Sequence, residues 1–316
     1  MVRAVLTKSP NSPRLRFFLG GRDLEMATIA ALARGVAGPD AVVDKGLGWG
    51  ARASAYADEI AAAAGEGATP VLVELEADIP LPEGAILVDH HGARAAGPTA
   101  LEQVFALLAL PARRWTRRLA LIAANDRGHV RAMRALGASH AESAAVRRAD
   151  RRAQGVSRAE EEAGLTALAT ARWEPAAHAL LVSLPHRRAA TATDPLAIHL
   201  RDPPDLVVVM PGEIAFFGSA PRAAALHAAL PGGWIGGDPP HSAFWGRAHA
   251  EDDGGSAVLA ILAAAAAPAA FSTDHRDFAD FARKILAMRG NHPKFRRLDN
   301  PLRRGRFSRM GRTPAD

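Results

Sequence analysis

Short apolar runs that end at glycine, acid or histidine, with stretches of helical period between them, constrain the fold of this chain more than any other feature. Residues 14–19 read as a strand broken by Gly20-Gly21, and residues 23–33 follow with Leu24, Ile29 and Leu32 at helical spacing. The pattern repeats with a strand at 41–43 and a helix at 54–64, then further strand candidates at 71–75, 86–88 and 119–123. Alternation of this kind predicts an α/β fold, a mostly parallel sheet flanked by helices.

Between the last two of those runs, Thr99-Ala100-Leu101-Glu102 has the form of a capping box and predicts a helix carrying Leu101, Val104, Phe105 and Leu108 on one face. Residues 139–172 are charged and helical in composition and read as a connecting region. Strand candidates then return at 179–184, 206–210 and 213–217, with 194–199 between the first two, which predicts a second, smaller α/β domain. The expected organisation is therefore 1–138, an α/β domain; 139–172, a helical connection; 173–250, the smaller domain; and 251–316, a helical segment and a basic tail.

Composition narrows the function classes. With 48% hydrophobic residues the 316-residue chain can bury a real core, and with no cysteine it has neither a disulfide framework nor thiolate metal ligands. The most apolar stretch, 257–271, contains Pro268 and is shorter than the ~20 residues that span a bilayer. No basic-then-apolar leader opens the chain, so a cytoplasmic protein without membrane contact is expected. The net charge of +6 is carried by residues 293–316, where eight basic side chains face only Asp299 and Asp316. Such a tail suits nucleic acid or another acidic partner.

The chemistry gathers at the ends of the expected strands. Asp89-His90-His91-Gly92 directly follows the apolar residues 85–88, Asp23 and Glu25 follow the first strand, Glu74 ends the third, and Asp126 follows the fifth. In a parallel sheet those carboxyl ends share one edge, where α/β proteins place their ligands. Carboxylates converging there repel one another, and divalent cations are the natural counter-charge. A mixed carboxylate and imidazole set favours manganese, cobalt or iron over a purely oxygen-liking magnesium site, and Mn2+ is the expected ion, with Co2+ or Mg2+ as alternatives.

With these residues in place, the chain resembles the DHH phosphoesterase superfamily over most of residues 14–135. In that family an Asp-x-Asp motif follows the first strand, another Asp ends a middle strand, Asp-His-His follows the next, and a further Asp lies beyond. Asp23-Leu24-Glu25, Glu74, Asp89-His90-His91 and Asp126 occupy those places in order. The chain departs from the family in having Leu19 where several branches have a histidine, and Glu25 and Glu74 where the family has aspartates.

The resemblance implies a two-metal site held by Asp23, Glu25, Glu74, Asp89, His90 and Asp126, with His91 and Asp89 serving catalysis. Arg127 and His129 are the expected phosphate contacts. Gly236-Gly237-Asp238-Pro239-Pro240-His241 loosely resembles the family's substrate loop, which makes His241 a third substrate contact. The implied activity is metal-dependent hydrolysis of a phosphodiester or phosphoanhydride in a nucleotide, another phosphorylated small molecule, or single-stranded nucleic acid. A degenerate nucleotide sensor or interaction protein is the alternative, motivated by Leu19 and the two glutamates. A dinucleotide-cofactor enzyme built on Gly46-x-Gly48-x-Gly50 ranks last, because Ala51 stands where the fingerprint needs its final glycine.

Overall fold

A computed structural model describes residues 14–238, 242–248 and 255–265. The described residues divide into two units, the first formed by residues 14–161 together with Thr193–Arg201, the second by Glu162–Ala192 and the described residues beyond Arg201.

The first unit is built on a parallel sheet of four strands: β1 (Arg14–Leu19), β2 (Val42–Val43), β3 (Ala68–Val73) and β4 (Ile86–Val88), in the order β2-β1-β3-β4. Helices cover both faces, which is why the strands read as continuous apolar runs. Phe17 and Leu19 of β1, Val71 and Val73 of β3 and Val88 of β4 point to one side. There they pack with α1 (Leu24–Ala37), α3 (Ala100–Leu107), α4 (Arg117–Ala135) and α5 (His140–Ala153). Phe18 and Leu72 point to the other and meet Tyr56 and Ile60, the latter on α2 (Ala57–Gly65). The Tyr56 hydroxyl, buried with its ring, donates to the Leu19 carbonyl at 2.7 Å and accepts from the Lys45 amide at 3.0 Å. Both bonds of the expected capping box are formed: the Thr99 amide donates to Glu102 at 2.8 Å and the Glu102 amide to the Thr99 hydroxyl at 3.3 Å.

Two expectations are corrected. Residues 119–123 form no strand; they lie within α4, which starts at Thr116, whose hydroxyl accepts from the Leu119 amide at 3.4 Å. A short apolar run suits a buried strand and a buried helix equally well, and here alanine and leucine, good helix formers, follow a cap. Residues 139–172 are likewise no separate connection. Helix α5 buries Val146, Arg147, Asp150 and Arg151 within the first unit, and the boundary between the units falls inside the next helix, α6 (Arg158–Ala169).

The second unit holds a mixed sheet with the order β5-β6-β7-β8-β10-β9. Its strands are β5 (Arg172–Glu174), β6 (Ala179–Ser183), β7 (Asp205–Met210), β8 (Glu213–Gly218), β9 (Trp234–Asp238) and β10 (Ser242–Ala248). Only β6 and β7 pair in parallel; the remaining pairs are antiparallel. Helix α7 (Ala190–His199) connects β6 to β7, and α8 (Ala220–Ala229) and α9 (Ser256–Ala264) pack on Val207, Phe216 and Trp245. Gly218 is needed at the end of β8, since a Cβ there would lie 2.0 Å from the Asp205 carboxylate that pairs with buried Arg222. Among the described residues, no helix is long and apolar enough to cross a membrane.

Candidate metal centre

The carboxyl edge of the first sheet is shaped by one close approach. Gly20 leaves β1 so near the exit of β3 that a Cβ would sit 2.1 Å from the Glu74 carbonyl oxygen, so no other residue fits without moving the backbone. Glu74 itself has a positive φ of 52°, a conformation rare outside glycine, while its amide donates to the Val88 carbonyl at 2.8 Å. The strand therefore stops at Val73, and the next residue turns its carboxylate toward the edge. Strain of this kind, on the order of 1 kcal/mol or more, persists where surrounding bonds hold it, and such positions cluster at functional sites.

Asp23 caps α1 and accepts from the Met26 amide at 2.8 Å. That cap starts the helix in the register that buries Glu25 in its first turn at 2% exposure. One oxygen of Glu25 accepts from the Leu101 amide at 3.0 Å, at the positive end of α3, which suits a carboxylate. His90 is buried just past β4, and Asp126 projects from α4 immediately before a kink at Gly128 and His129.

One donor atom from each of Glu25, Glu74, His90 and Asp126 lies within 4.8 Å of the others. His90 Nε2 stands 3.2 Å from Glu74 Oε1 and 2.5 Å from Asp126 Oδ2. These contacts are close without having hydrogen-bond geometry: Glu25 Oε2, Glu74 Oε1, His90 Nε2 and Asp126 Oδ2 are all buried with no hydrogen-bond partner. Buried polar atoms are nearly always partnered, so four orphans facing one another are what a cation-binding cradle looks like. A second grouping, Glu74, His90 and His91, shares two members with the first.

The electrostatics agree. Burial, then the Asp126 and Glu74 charges, push the Glu25 carboxyl well above the usual carboxylate range. Burial also raises Asp23, to about 6, against the opposing Met26 hydrogen bond and with help from neighbouring carboxylates. His90 is held up at about 10 by Asp126 and Glu74.

The remaining expected site residues are placed as follows. Asp89 joins neither grouping; its Oδ1 accepts from the His91 amide at 3.0 Å and lies 2.9 Å from His91 Nδ1, fixing the orientation of that half-exposed ring. Asp23 also lies outside both groupings, with its carboxylate engaged as a cap. Arg127 is exposed and donates to the Gly97 carbonyl and to Glu102, both at 3.0 Å. His129 Nδ1 lies 3.0 Å from an Arg147 nitrogen. His241 and the basic tail fall outside the described residues. Sequence reasoning missed Arg147 and Asp150, which border this edge from α5; their i,i+3 spacing was the only signal.

No family model matches the chain, and no curated protein does. Among solved structures, it is similar to the exonuclease RecJ bound to manganese, at 17% identity, a TM-score of 0.44, and coverage of 84% of this chain and 94% of that one. It is also similar to RecJ in complex with Mn2+ from Thermus thermophilus, at 17% identity and a TM-score of 0.46, covering 81% of this chain and 53% of that one. An exopolyphosphatase-related protein from Bacteroides fragilis matches at 8% identity and a TM-score of 0.37, covering 87% of this chain and 94% of that one. RecJ belongs to the DHH superfamily.

Proposed function

We propose that the chain is a divergent DHH phosphoesterase that hydrolyses a phosphodiester or phosphoanhydride, in a nucleotide or single-stranded oligonucleotide, with a divalent metal. The observation that carries this reading is the set of four buried, unpartnered donor atoms of Glu25, Glu74, His90 and Asp126. Three carboxylates and an imidazole fit Mn2+, with Co2+ or Mg2+ as substitutes. Those four residues would hold one ion, and Glu74, His90 and His91 would offer donors toward a second. A bound divalent ion supplies an activated water and neutralises charge on the phosphate and its leaving oxygen.

The chain's own residues do the positioning. Asp89 grips His91 Nδ1, which assigns the proton to that nitrogen and leaves the Nε2 lone pair to meet a metal. Asp23 sets the first turn of α1 and hence the carboxylate of Glu25. Arg127 lies one residue past Asp126, on the outer side, where a phosphate competes with Glu102 for its guanidinium. His129 completes the proposed substrate contacts of the first unit.

The test combines metal content with turnover. Purified protein equilibrated with Mn2+ should retain the ion after gel filtration and hydrolyse at least one of bis-p-nitrophenyl phosphate, a linear dinucleotide, a single-stranded oligonucleotide and pyrophosphate. Protein that retains no divalent ion at any loading overturns the proposal. Metal retention with tight nucleotide binding and no turnover would instead identify a sensor.

A further inference from the structure

Beside the proposed metal centre lies a second cluster of buried charge, and it is organised around one side chain. Arg147 of α5 is 4% exposed. Its Nε donates to Asp194 Oδ1 at 2.9 Å, and a single nitrogen, NH1, lies 3.0 Å from Asn125 Oδ1, 2.8 Å from Asp150 Oδ2 and 3.0 Å from His129 Nδ1. Asp150 continues the chain of bonds, its other oxygen accepting from the Leu24 amide at 3.0 Å.

Those partners have specific positions. Asn125 directly precedes Asp126 and His129 follows it by three, so the guanidinium grips α4 on both sides of that carboxylate. His129 has φ 49°, an unfavourable conformation for a residue with a Cβ, and it sits where α4 departs from helical geometry. Leu24 lies between Asp23 and Glu25. Through Asp150, Arg147 therefore also grips the first turn of α1.

We infer that Arg147 is a positioning residue for the metal centre, setting the distance between Glu25 on α1 and Asp126 on α4 without touching either. This rests on the proposed function only for the identity of what is positioned. A guanidinium suits the task because its planar fork fixes several acceptors in one geometry, which an ammonium cannot do. Outer partners that orient ligands affect metal affinity or activity by about 10–100-fold.

Arg151 supplies the control, since it belongs to the same buried network through Asp194 and Glu161 but makes no bond to α1 or to the kink of α4. Arg147→Lys and Arg151→Lys are compared with wild type by calorimetric Mn2+ titration well below each melting temperature. Arg147→Lys should weaken Mn2+ binding about 10–100-fold, and Arg151→Lys less than about twofold. Equal effects of the two, or Mn2+ affinity of Arg147→Lys within twofold of wild type, would overturn the inference. Amide hydrogen exchange in chelated protein separates this from failure of the metal reading. Arg147→Lys should speed exchange at residues 24–28 and 124–131 above any global change, whether or not Mn2+ binds. Unchanged protection there rejects the clamp, whereas wild type without His90-dependent Mn2+ binding rejects the metal centre and leaves the clamp standing.

Discussion

The first unit contains two buried charged clusters that differ in one respect. Around Arg147 every charge has a partner: Asp194 receives Arg147 and Arg151, Asp150 receives Arg147 and the Leu24 amide, and Asn125 and His129 meet Arg147 as well. Around His90, three carboxylates share a single imidazole, and the facing atoms of Glu25, Glu74 and Asp126 meet no other donor. The first arrangement is complete as folded, and the second lacks positive charge. Burial alone therefore distinguishes nothing, while satisfaction separates a charge cluster that supports the fold from one that could hold a cation.

The largest effect should come from removing the imidazole. His90→Ala leaves the carboxylates of Glu25, Glu74 and Asp126 facing one another, and Mn2+-dependent hydrolysis should fall by more than about 100-fold, beyond the range of an outer partner, while the circular dichroism spectrum is kept. Extensive chelation of wild type should do the same, reversibly on return of Mn2+. Undiminished turnover in either case would erase the contrast between the clusters.

A paired stability measurement addresses the same contrast. Asp194→Ala removes the carboxylate that Arg147 and Arg151 share, and breaking a buried ion network by removing one partner costs about 3–5 kcal/mol in urea denaturation. Glu25→Gln removes a charge that burial already disfavours, so it should leave chelated protein as stable as wild type or more so. Destabilisation of similar size in both would mean that the His90 cluster is structural as well.

The pH dependence of chelated protein follows from the same imbalance. Asp23 titrates near 6 in the folded chain against an ordinary value of 3.8, so the folded state binds the extra proton. That stabilisation is present at low pH and is lost as pH rises from about 4 to 6. His90, raised to about 10 from 6.5, contributes stability that is complete below 6.5 and disappears as pH rises toward 10. His129, held below its ordinary value by burial and by Arg147, acts in the opposite sense below 6.5, so the melting temperature without metal should fall most clearly between about 6.5 and 10, and saturating Mn2+ should flatten that decline. A melting temperature that rises across that range in chelated protein would contradict the charge deficit.

What could be read from sequence was what is encoded locally. Residues 86–88 were legible as a strand and Thr99 with Glu102 as a capping box, because each depends on neighbours within a few positions. Asp126 was legible as a site candidate but for a wrong local reason, since the run before it is helical and the residue faces the edge by virtue of where α4 packs. Arg147 was invisible: its partners come from α4, α5 and α7, and among 39 basic residues nothing local separates a buried arginine from a surface one. The positive φ of Glu74 was equally hidden, because glycine is the residue that announces such a turn and the glycine here, Gly20, lies on the neighbouring strand's exit.

The smallest effect belongs to Arg127, one residue from Asp126 yet outside both clusters. Its side chain is 46% exposed and its ion pair with Glu102 is shared with solvent. Arg127→Ala should therefore cost less than about 1 kcal/mol of stability, as exposed pairs do. Because no donor atom of the cradle depends on it, Mn2+ affinity should stay within twofold of wild type. Its proposed role as a phosphate contact then has an isolated readout: KM for a phosphoester should rise several-fold, with a weaker dependence on salt, while kcat is nearly unchanged. A drop in kcat together with lost metal affinity would instead show that Arg127 supports the kink of α4 and belongs with Arg147. An unchanged KM would remove it from the substrate path and leave it as the outer tie between α4 and the capping box of α3.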